Sequence, residues 1–175
     1  MLSTRGGGKR SEGGGCAAAF LSVLIIASVG LAGPSALAVG TPAPERSSQE
    51  VSGLHFLSDV CGTPILQDGM VYVTARMLAD GRVTQQVRVD IVLSVSSRVA
   101  FERPAFTAVI DPQAQTVTLE GTLVNISAPG VGILLKDVGP IVRDLSTSDI
   151  LTLVGRWMAL QGAFDEVCRY FTTPM

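Results

Sequence analysis

The sequence is poor in the residues that carry out chemistry. Its 175 residues include one His, three Cys and one Trp, and only 16% are charged. Zinc sites need several His or Cys ligands at close spacing, and none cluster here. The acidic residues occur singly, without the alternating carboxylates of a calcium loop. We therefore expect no metal ion and no cofactor.

Positive charge is scarce as well. The chain has 13 Lys and Arg residues against 15 Asp and Glu, for a net charge of −2, and removal of residues 1–38 would lower it to about −4. A protein that binds nucleic acid needs a basic patch to displace counterions from phosphate. Nucleic acid is therefore excluded as a partner.

The longest apolar run lies near the N-terminus. Three cations stand among glycines in residues 1–15, an uncharged run follows over residues 16–33, and small residues lead to Ala38. A basic start, an apolar middle and a small-residue exit are typical of a secretory signal. We predict a signal peptide over residues 1–38, cleaved between Ala38 and Val39.

The alternative is an uncleaved membrane anchor, because about 18 apolar residues just reach the length that spans a bilayer. Gly30, Gly33 and Pro34 interrupt the segment where a stable span would continue, which favours cleavage. Contact with a membrane is expected only if this segment is retained. The predicted location is secreted or extracytoplasmic.

Two cysteines remain after processing, Cys61 and Cys168. In an oxidising compartment two cysteines have one possible pairing, so we predict a Cys61–Cys168 disulfide. The alternative of two free thiols, or of a metal pair, lacks a neighbouring His or Cys at ligand spacing. The bond would join the two ends of the domain.

Residues 39–50 are rich in Pro, Ser and small side chains and have no apolar periodicity. This composition predicts a disordered linker. Residues 51–175 then form a single domain, because their number fits one domain.

Within this domain the apolar residues repeat every second position, which indicates strands with one buried and one wet face. Two such stretches flank Asp80-Gly81, a pair that supplies the positive φ of a hairpin turn. A second hairpin is predicted around Asp111-Pro112, where Pro suits the second position of a turn. Breaks at Pro129-Gly130 and Gly139-Pro140 separate further short strands.

Residues 150–160 fit either a strand or a helix. We favour a strand, because Gly155 in the middle of the segment would cost a helix about 1 kcal/mol. The last element, residues 163–170, reads as a short helix with Asp165 and Glu166 in its first turn, where acidic side chains complement the helix dipole. The predicted fold class is all-β, a small antiparallel barrel or sandwich of six to eight strands with one short C-terminal helix.

Three short motifs resemble a pattern of small secreted β-rich proteins of GC-rich bacteria, a group without an assigned activity. They are Asn125-Ile-Ser-Ala-Pro-Gly-Val-Gly132, Asp137-Val-Gly139 and Gly162-Ala-Phe-Asp-Glu-Val-Cys168. The resemblance implies a β-rich extracytoplasmic domain that ends in a helix carrying a cysteine.

His55 is the single imidazole, and Ser58 and Asp59 stand three and four residues after it. This spacing is not a nucleophile motif. We therefore interpret His55 as a partly exposed polar residue beside Phe56, with no catalytic role.

Two hypotheses for function follow. The first is a secreted, non-catalytic β-domain that binds a small apolar ligand or an envelope partner. In a barrel its interior would be lined by Val71, Val73, Val87, Val89 and Ile91. The alternative is an extracytoplasmic hydrolase with paired carboxylates, which would require two of Asp90, Glu102 and Glu120 to converge in a cleft. The residues favour the non-enzymatic role and leave the partner unknown.

Overall fold

Alternation of apolar and polar residues produces a single antiparallel sheet. The computed structural model describes residues 43–173, and these lie in one compact unit, Ala38–Met175. The strands, in chain order, are β1 (Glu45–Leu54), β2 (Leu66–Met77), β3 (Val83–Val95), β4 (Arg98–Glu102), β5 (Ala105–Asp111), β6 (Thr116–Ala128), β7 (Gly132–Val138), β8 (Ile141–Asp144) and β9 (Ile150–Leu153). The helices are α1 (Leu57–Cys61) and α2 (Asp165–Thr172).

Seven of the nine strands follow the order β1, β2, β3, β4, β6, β8, β9 across the sheet. β5 lies between β3 and β6 at one end of these long strands, and β7 pairs with β6. Arg103-Pro104 separates β4 from β5, and Gly139-Pro140 separates β7 from β8. Pro has no N–H to donate to a ladder, so a strand breaks there. The strand order ends at β1 on one side and at β9 on the other, and β7, which among the strands of residues 43–173 pairs with β6 alone, is a further edge.

Both predicted hairpins are present. Met77 of β2 stands opposite Val83 of β3, and the turn between them has Gly81 at φ 85°. In the second hairpin Asp111 stands opposite Thr116. Its carboxylate Oδ1 accepts the N–H groups of Gln113 and Ala114 at 2.9 Å, which is the side-chain cap expected of Asp in a turn.

The core lies on one face of the sheet. The buried residues from the first hairpin are Val71, Val87, Val89, Ile91 and Leu93, with Val73 half-buried. Helix α2 adds Val167 and Phe171 to the core. The hydroxyl of Tyr170 donates to the Val99 carbonyl oxygen at 2.7 Å, which fixes the helix to β4.

Helices α1 and α2 are joined covalently. The sulfur atoms of Cys61 and Cys168 lie 2.01 Å apart, and the bond closes 107 residues of chain. In the chain-entropy model a loop of this length stabilises the fold by about 4–5 kcal/mol. The predicted disulfide is thus present in the structure. It links α1, near the start of the described chain, to α2, near its end.

The all-β class and the C-terminal helix are confirmed, with nine strands where six to eight were predicted. The disordered linker is wrong over residues 45–50, which form the first half of β1 and pair with β2. All six residues are exposed, so backbone hydrogen bonds to β2 hold this part of the strand. Because no side chain is buried, the sequence has no apolar periodicity here. The signal peptide and the Ala38–Val39 cleavage site lie outside the described residues and stay predictions.

The ambiguous segment 150–160 is a strand only at its start. β9 ends at Leu153, Arg156 makes an isolated bridge with Val138, and turns follow over residues 158–162. Gly155 has φ 114°, a value outside both helix and strand. The segment therefore changes direction at the glycine.

Candidate functional site

β9 is an exposed apolar strand at one end of the strand order. The exposed fractions are 41% for Ile150, 55% for Leu151, 42% for Leu153 and 56% for Val154. Thr152 between them is exposed as well, and no charged residue occurs from 150 to 154. Within residues 43–173, β8 is the one strand that pairs with β9. An apolar edge of this kind is a template for a further strand.

The opposite edge of the sheet is protected in the usual way. β1 begins Glu45-Arg46-Ser-Ser-Gln-Glu50, and these residues are exposed. Charged side chains on an edge strand discourage pairing with other chains. β1 and β9, the two ends of the strand order, therefore differ in charge, and β9 is the end whose exposed residues are uncharged and mostly apolar.

The residues that follow β9 pack closely against the segment that connects β7 to β8. A Cβ on Gly139 would collide with the Val154 carbonyl oxygen, and one on Gly155 would collide with the Val138 carbonyl oxygen. The Val154 N–H donates to the Pro140 carbonyl oxygen at 3.1 Å. Val138 and Arg156 exchange two backbone hydrogen bonds of 3.0 Å. Glycine is required because the two backbones meet without room for a side chain.

Asp137 anchors the chain that follows β9. Its side chain is 1% exposed and accepts the N–H of Met158 at 2.6 Å and that of Ala159 at 3.1 Å. Burial raises the pKa of the Asp137 carboxyl, and these N–H donors oppose the rise. The Trp157 indole N–H donates to the Val154 carbonyl oxygen at 3.0 Å. These contacts fix the end of β9 to β7.

The turn from β8 to β9 is fixed by charged side chains. Asp144 accepts hydrogen bonds from the Ser146 hydroxyl at 2.6 Å and from the Thr147 N–H at 2.9 Å. The Ser146 hydroxyl, followed by the backbone donors, lowers the pKa of Asp144 to about 2. Arg143 donates from Nε to the Ser148 carbonyl oxygen at 3.0 Å. Both ends of β9 are therefore held, so a partner would meet a rigid strand.

His55 is buried, which corrects the expectation of a partly exposed residue. It is 5% exposed, and its Nε2 lies 3.0 Å from Glu102 Oε2. The Leu57 N–H donates to His55 Nδ1 at 3.3 Å, so Nδ1 is the acceptor and Nε2 carries the proton. Both ring nitrogens are used within the fold, at the start of α1. This geometry leaves neither nitrogen to act on a substrate.

The three carboxylates of the alternative hypothesis have different surroundings. Glu102 is buried against His55, Asp90 accepts Arg103 Nε at 2.8 Å, and Glu120 is exposed on β6. A carboxylate hydrolase needs two of these groups to share a substrate. The described contacts bring none of the three together.

A concavity of about 390 Å³ lies on the outer face of β2 and β3. Its walls are Tyr72, Thr74, Gln86, Val87, Arg88 and Asp90. Sites for small molecules are lined mostly by apolar side chains with a few polar groups. These walls are mainly polar, so they do not match the apolar ligand that the sequence suggested.

Within residues 43–173 the structure shows no cluster of three or more His, Cys, Asp or Glu side chains placed to hold a metal ion. The same residues include no helix that is both long and apolar enough to cross a membrane. The disulfide is consistent with an extracellular location, because such bonds persist in oxidising compartments. Comparison of the chain with protein-family models, with curated proteins and with solved structures finds no match.

Proposed function

We propose that this chain is a secreted, non-catalytic β-domain that binds another polypeptide of the extracytoplasmic compartment along the β9 edge. The observation that carries the proposal is the set of four large apolar side chains, each more than 40% exposed, three on β9 and the fourth on Val154 directly after it, with one side of β9 unpaired among the described residues. In this mode of recognition the partner adds a strand, and main-chain hydrogen bonds supply much of the affinity.

The rigidity of the edge supports the proposal. Binding costs less free energy when the surface is already ordered, because less conformational entropy is lost. Gly139, Asp137 and Asp144 hold the backbone on both sides of β9, as described above. The saturated hydrogen bonds of His55 and the dispersed carboxylates favour binding over catalysis for the same chain.

Site-specific photo-cross-linking in the producing cells tests the proposal. A photoreactive amino acid replaces Leu151 on β9, and a matched variant carries it at Ser48 on β1. We expect a discrete cross-linked polypeptide, identified by mass spectrometry, from position 151 and not from position 48. Absence of an adduct at position 151, or the same adducts at both positions, would contradict a binding role for this edge.

A further inference from the structure

The sequence of β9 and its neighbours is self-complementary about Thr152. We propose that the β9 edge pairs antiparallel with β9 of a second copy of this chain, centred on Thr152, and that the exported protein is a symmetric dimer. The inference rests on the proposed function, since it names the polypeptide that the edge binds. It depends on antiparallel pairing centred on Thr152, in which each strand presents the same residues to the other.

The backbone of β9 is oriented for this register. The N–H groups of Val154 and Arg156 donate inward, to Pro140 and Val138. Backbone groups alternate along a strand, so those of Leu153 point away from β8 and toward a neighbour. In an antiparallel pair centred on Thr152, the residue opposite Leu153 is Leu151 of the second copy. Leu151 is the extra residue of a β-bulge, because Val142 stands opposite Thr152 and Arg143 opposite Ile150, so it has no facing residue on β8. Leu153 therefore pairs through backbone hydrogen bonds with Leu151 of the second copy, and the two Thr152 residues face each other in a non-hydrogen-bonded pair.

The side chains match in this register. Ile150 stands opposite Val154, Leu151 opposite Leu153, and Thr152 opposite itself. Pairs of β-branched or apolar residues, and Thr–Thr pairs, stabilise antiparallel strands. The exposed apolar side chains of one copy thus cover those of the other, which reduces the apolar surface in contact with water.

Charge at the two ends of the strand fixes its direction. Asp149 and Arg156 flank the apolar residues and are both exposed. Antiparallel pairing about Thr152 places the end of one strand that carries Asp149 beside the end of the other that carries Arg156. A parallel arrangement would place like charges together, which is unfavourable. The charges therefore select the antiparallel dimer.

β1 of a second copy is a poorer occupant of the same edge. Its first six residues, Glu45 to Glu50, are polar and charged, and its large apolar residues are only Val51 and Leu54, so it covers fewer of the apolar side chains of β9 than a second β9 does. Pairing of β9 with β1 would also be head-to-tail, and such contacts build rings or open polymers larger than a dimer. Pairing of β9 with β9 uses one patch twice and closes at two chains.

The test introduces charges of opposite sign at Thr152, the centre of the proposed symmetry. Analytical ultracentrifugation of the purified chain measures the mass in solution. We expect twice the monomer mass for the native protein. Thr152→Lys places two cations face to face and Thr152→Glu two anions, so each variant alone is expected at the monomer mass. An equimolar mixture of the two variants is expected to recover the doubled mass, because Lys and Glu then stand opposite each other. Ser48→Lys on β1 adds the same charge to the other edge and is expected to leave the dimer intact.

The outcomes separate this inference from the proposed function. A native chain that stays monomeric at every concentration studied, or a Thr152→Lys variant that stays dimeric, would overturn the β9–β9 pair. A mass that continues to rise with concentration would indicate head-to-tail association instead. Photo-cross-linking from Leu151 to a different protein, together with a monomeric native chain, would retain the binding edge and reject the second copy as its partner.

A second measurement is independent of whether the charged variants fold. Thr152→Cys places two thiols on facing residues, whose Cβ atoms in such a pair are roughly 4.5–5.5 Å apart. Oxidation is expected to yield a covalent dimer on a non-reducing gel. Ser48→Cys is the matched control on β1 and is expected to stay monomeric. Equal cross-linking of the two variants would overturn the register.

Discussion

Gly139 and Gly155 pack backbone against backbone, and each occupies a place where a Cβ would meet a carbonyl oxygen of the facing segment. The contact joins the end of β7 to the end of β9, so it positions the edge that we propose as the binding surface. Gly139 also has φ 135°, which side-chain-bearing residues rarely adopt.

Gly139→Ala is expected to destabilise the domain by about 1–3 kcal/mol, the usual cost of forcing atoms into a packed site. Gly132→Ala is the control, because Gly132 has φ 100° and open space around it. Alanine there introduces backbone strain without a steric collision. Urea denaturation of the two variants measures the difference. Equal stabilities would show that the Gly139–Gly155 contact contributes nothing.

Asp137 offers a second test of the same region. Asp137→Ala leaves the N–H groups of Met158 and Ala159 without their acceptor, and each unpaired buried donor costs about 1–3 kcal/mol. We expect a loss of about 2–4 kcal/mol in the free energy of unfolding. Asp68→Ala, which removes an exposed carboxylate from β2, should change it by less than about 0.5 kcal/mol. Calorimetry measures the midpoint temperature of unfolding of both variants. Equal midpoints would contradict a stabilising role for Asp137.

The His55–Glu102 contact is expected to stabilise the fold and to leave binding at β9 unchanged. Glu102→Ala removes the acceptor of the buried His55 Nε2–H and should cost about 1–3 kcal/mol. Glu102→Gln keeps an acceptor oxygen and should cost less. Glu120→Ala, on an exposed position of β6, serves as the reference. A Glu102→Ala variant as stable as Glu120→Ala would refute a structural role for the pair.

Acid should weaken the turn between β8 and β9. The hydrogen bonds to Asp144 lower its pKa to about 2 from the ordinary 3.8, so the unfolded chain binds this proton first as the pH falls. The stabilisation is complete above pH 3.8 and is lost as the pH falls toward about 2. The free energy of unfolding, measured by denaturation at each pH, should fall less steeply between pH 3.8 and about 2 for Asp144→Asn than for the native chain. Identical slopes would exclude Asp144 as a contributor.

The alternation along β3 predicts opposite results for neighbouring residues. Val89 is 7% exposed, and Val89→Asp buries an unpaired charge that costs several kcal/mol, enough to unfold the domain. Arg88 is exposed on the other face, so Arg88→Asp should change the stability by less than about 0.5 kcal/mol. Far-ultraviolet circular dichroism distinguishes the two, and a folded Val89→Asp variant would contradict the assignment of faces.

Local patterns were sufficient for much of the fold. The β2–β3 hairpin was predictable because one face of each strand is buried and the turn carries Asp80-Gly81. β1 was missed because it is exposed on both faces, which removes the apolar period on which strand prediction depends. Strands that pack against a core can therefore be predicted from the sequence, whereas strands held only by backbone hydrogen bonds cannot.

The candidate site was less accessible to sequence reasoning. The apolar residues from Ile150 to Val154 were visible, but that they lie at a sheet edge depends on strand order, which no local pattern encodes. The partner of His55 was missed because Glu102 lies 47 residues away in the chain. One signal was available in the sequence, since the absence of charge over residues 150–154 is unusual for an exposed segment.

The bond between Cys61 and Cys168 also bears on the fate of the protein after a protease attack. A single cut of the backbone anywhere between these two residues leaves both fragments attached through sulfur. The strands from β2 to β9 all lie inside this interval. A nicked molecule would therefore keep its parts together and migrate as two pieces only after reduction.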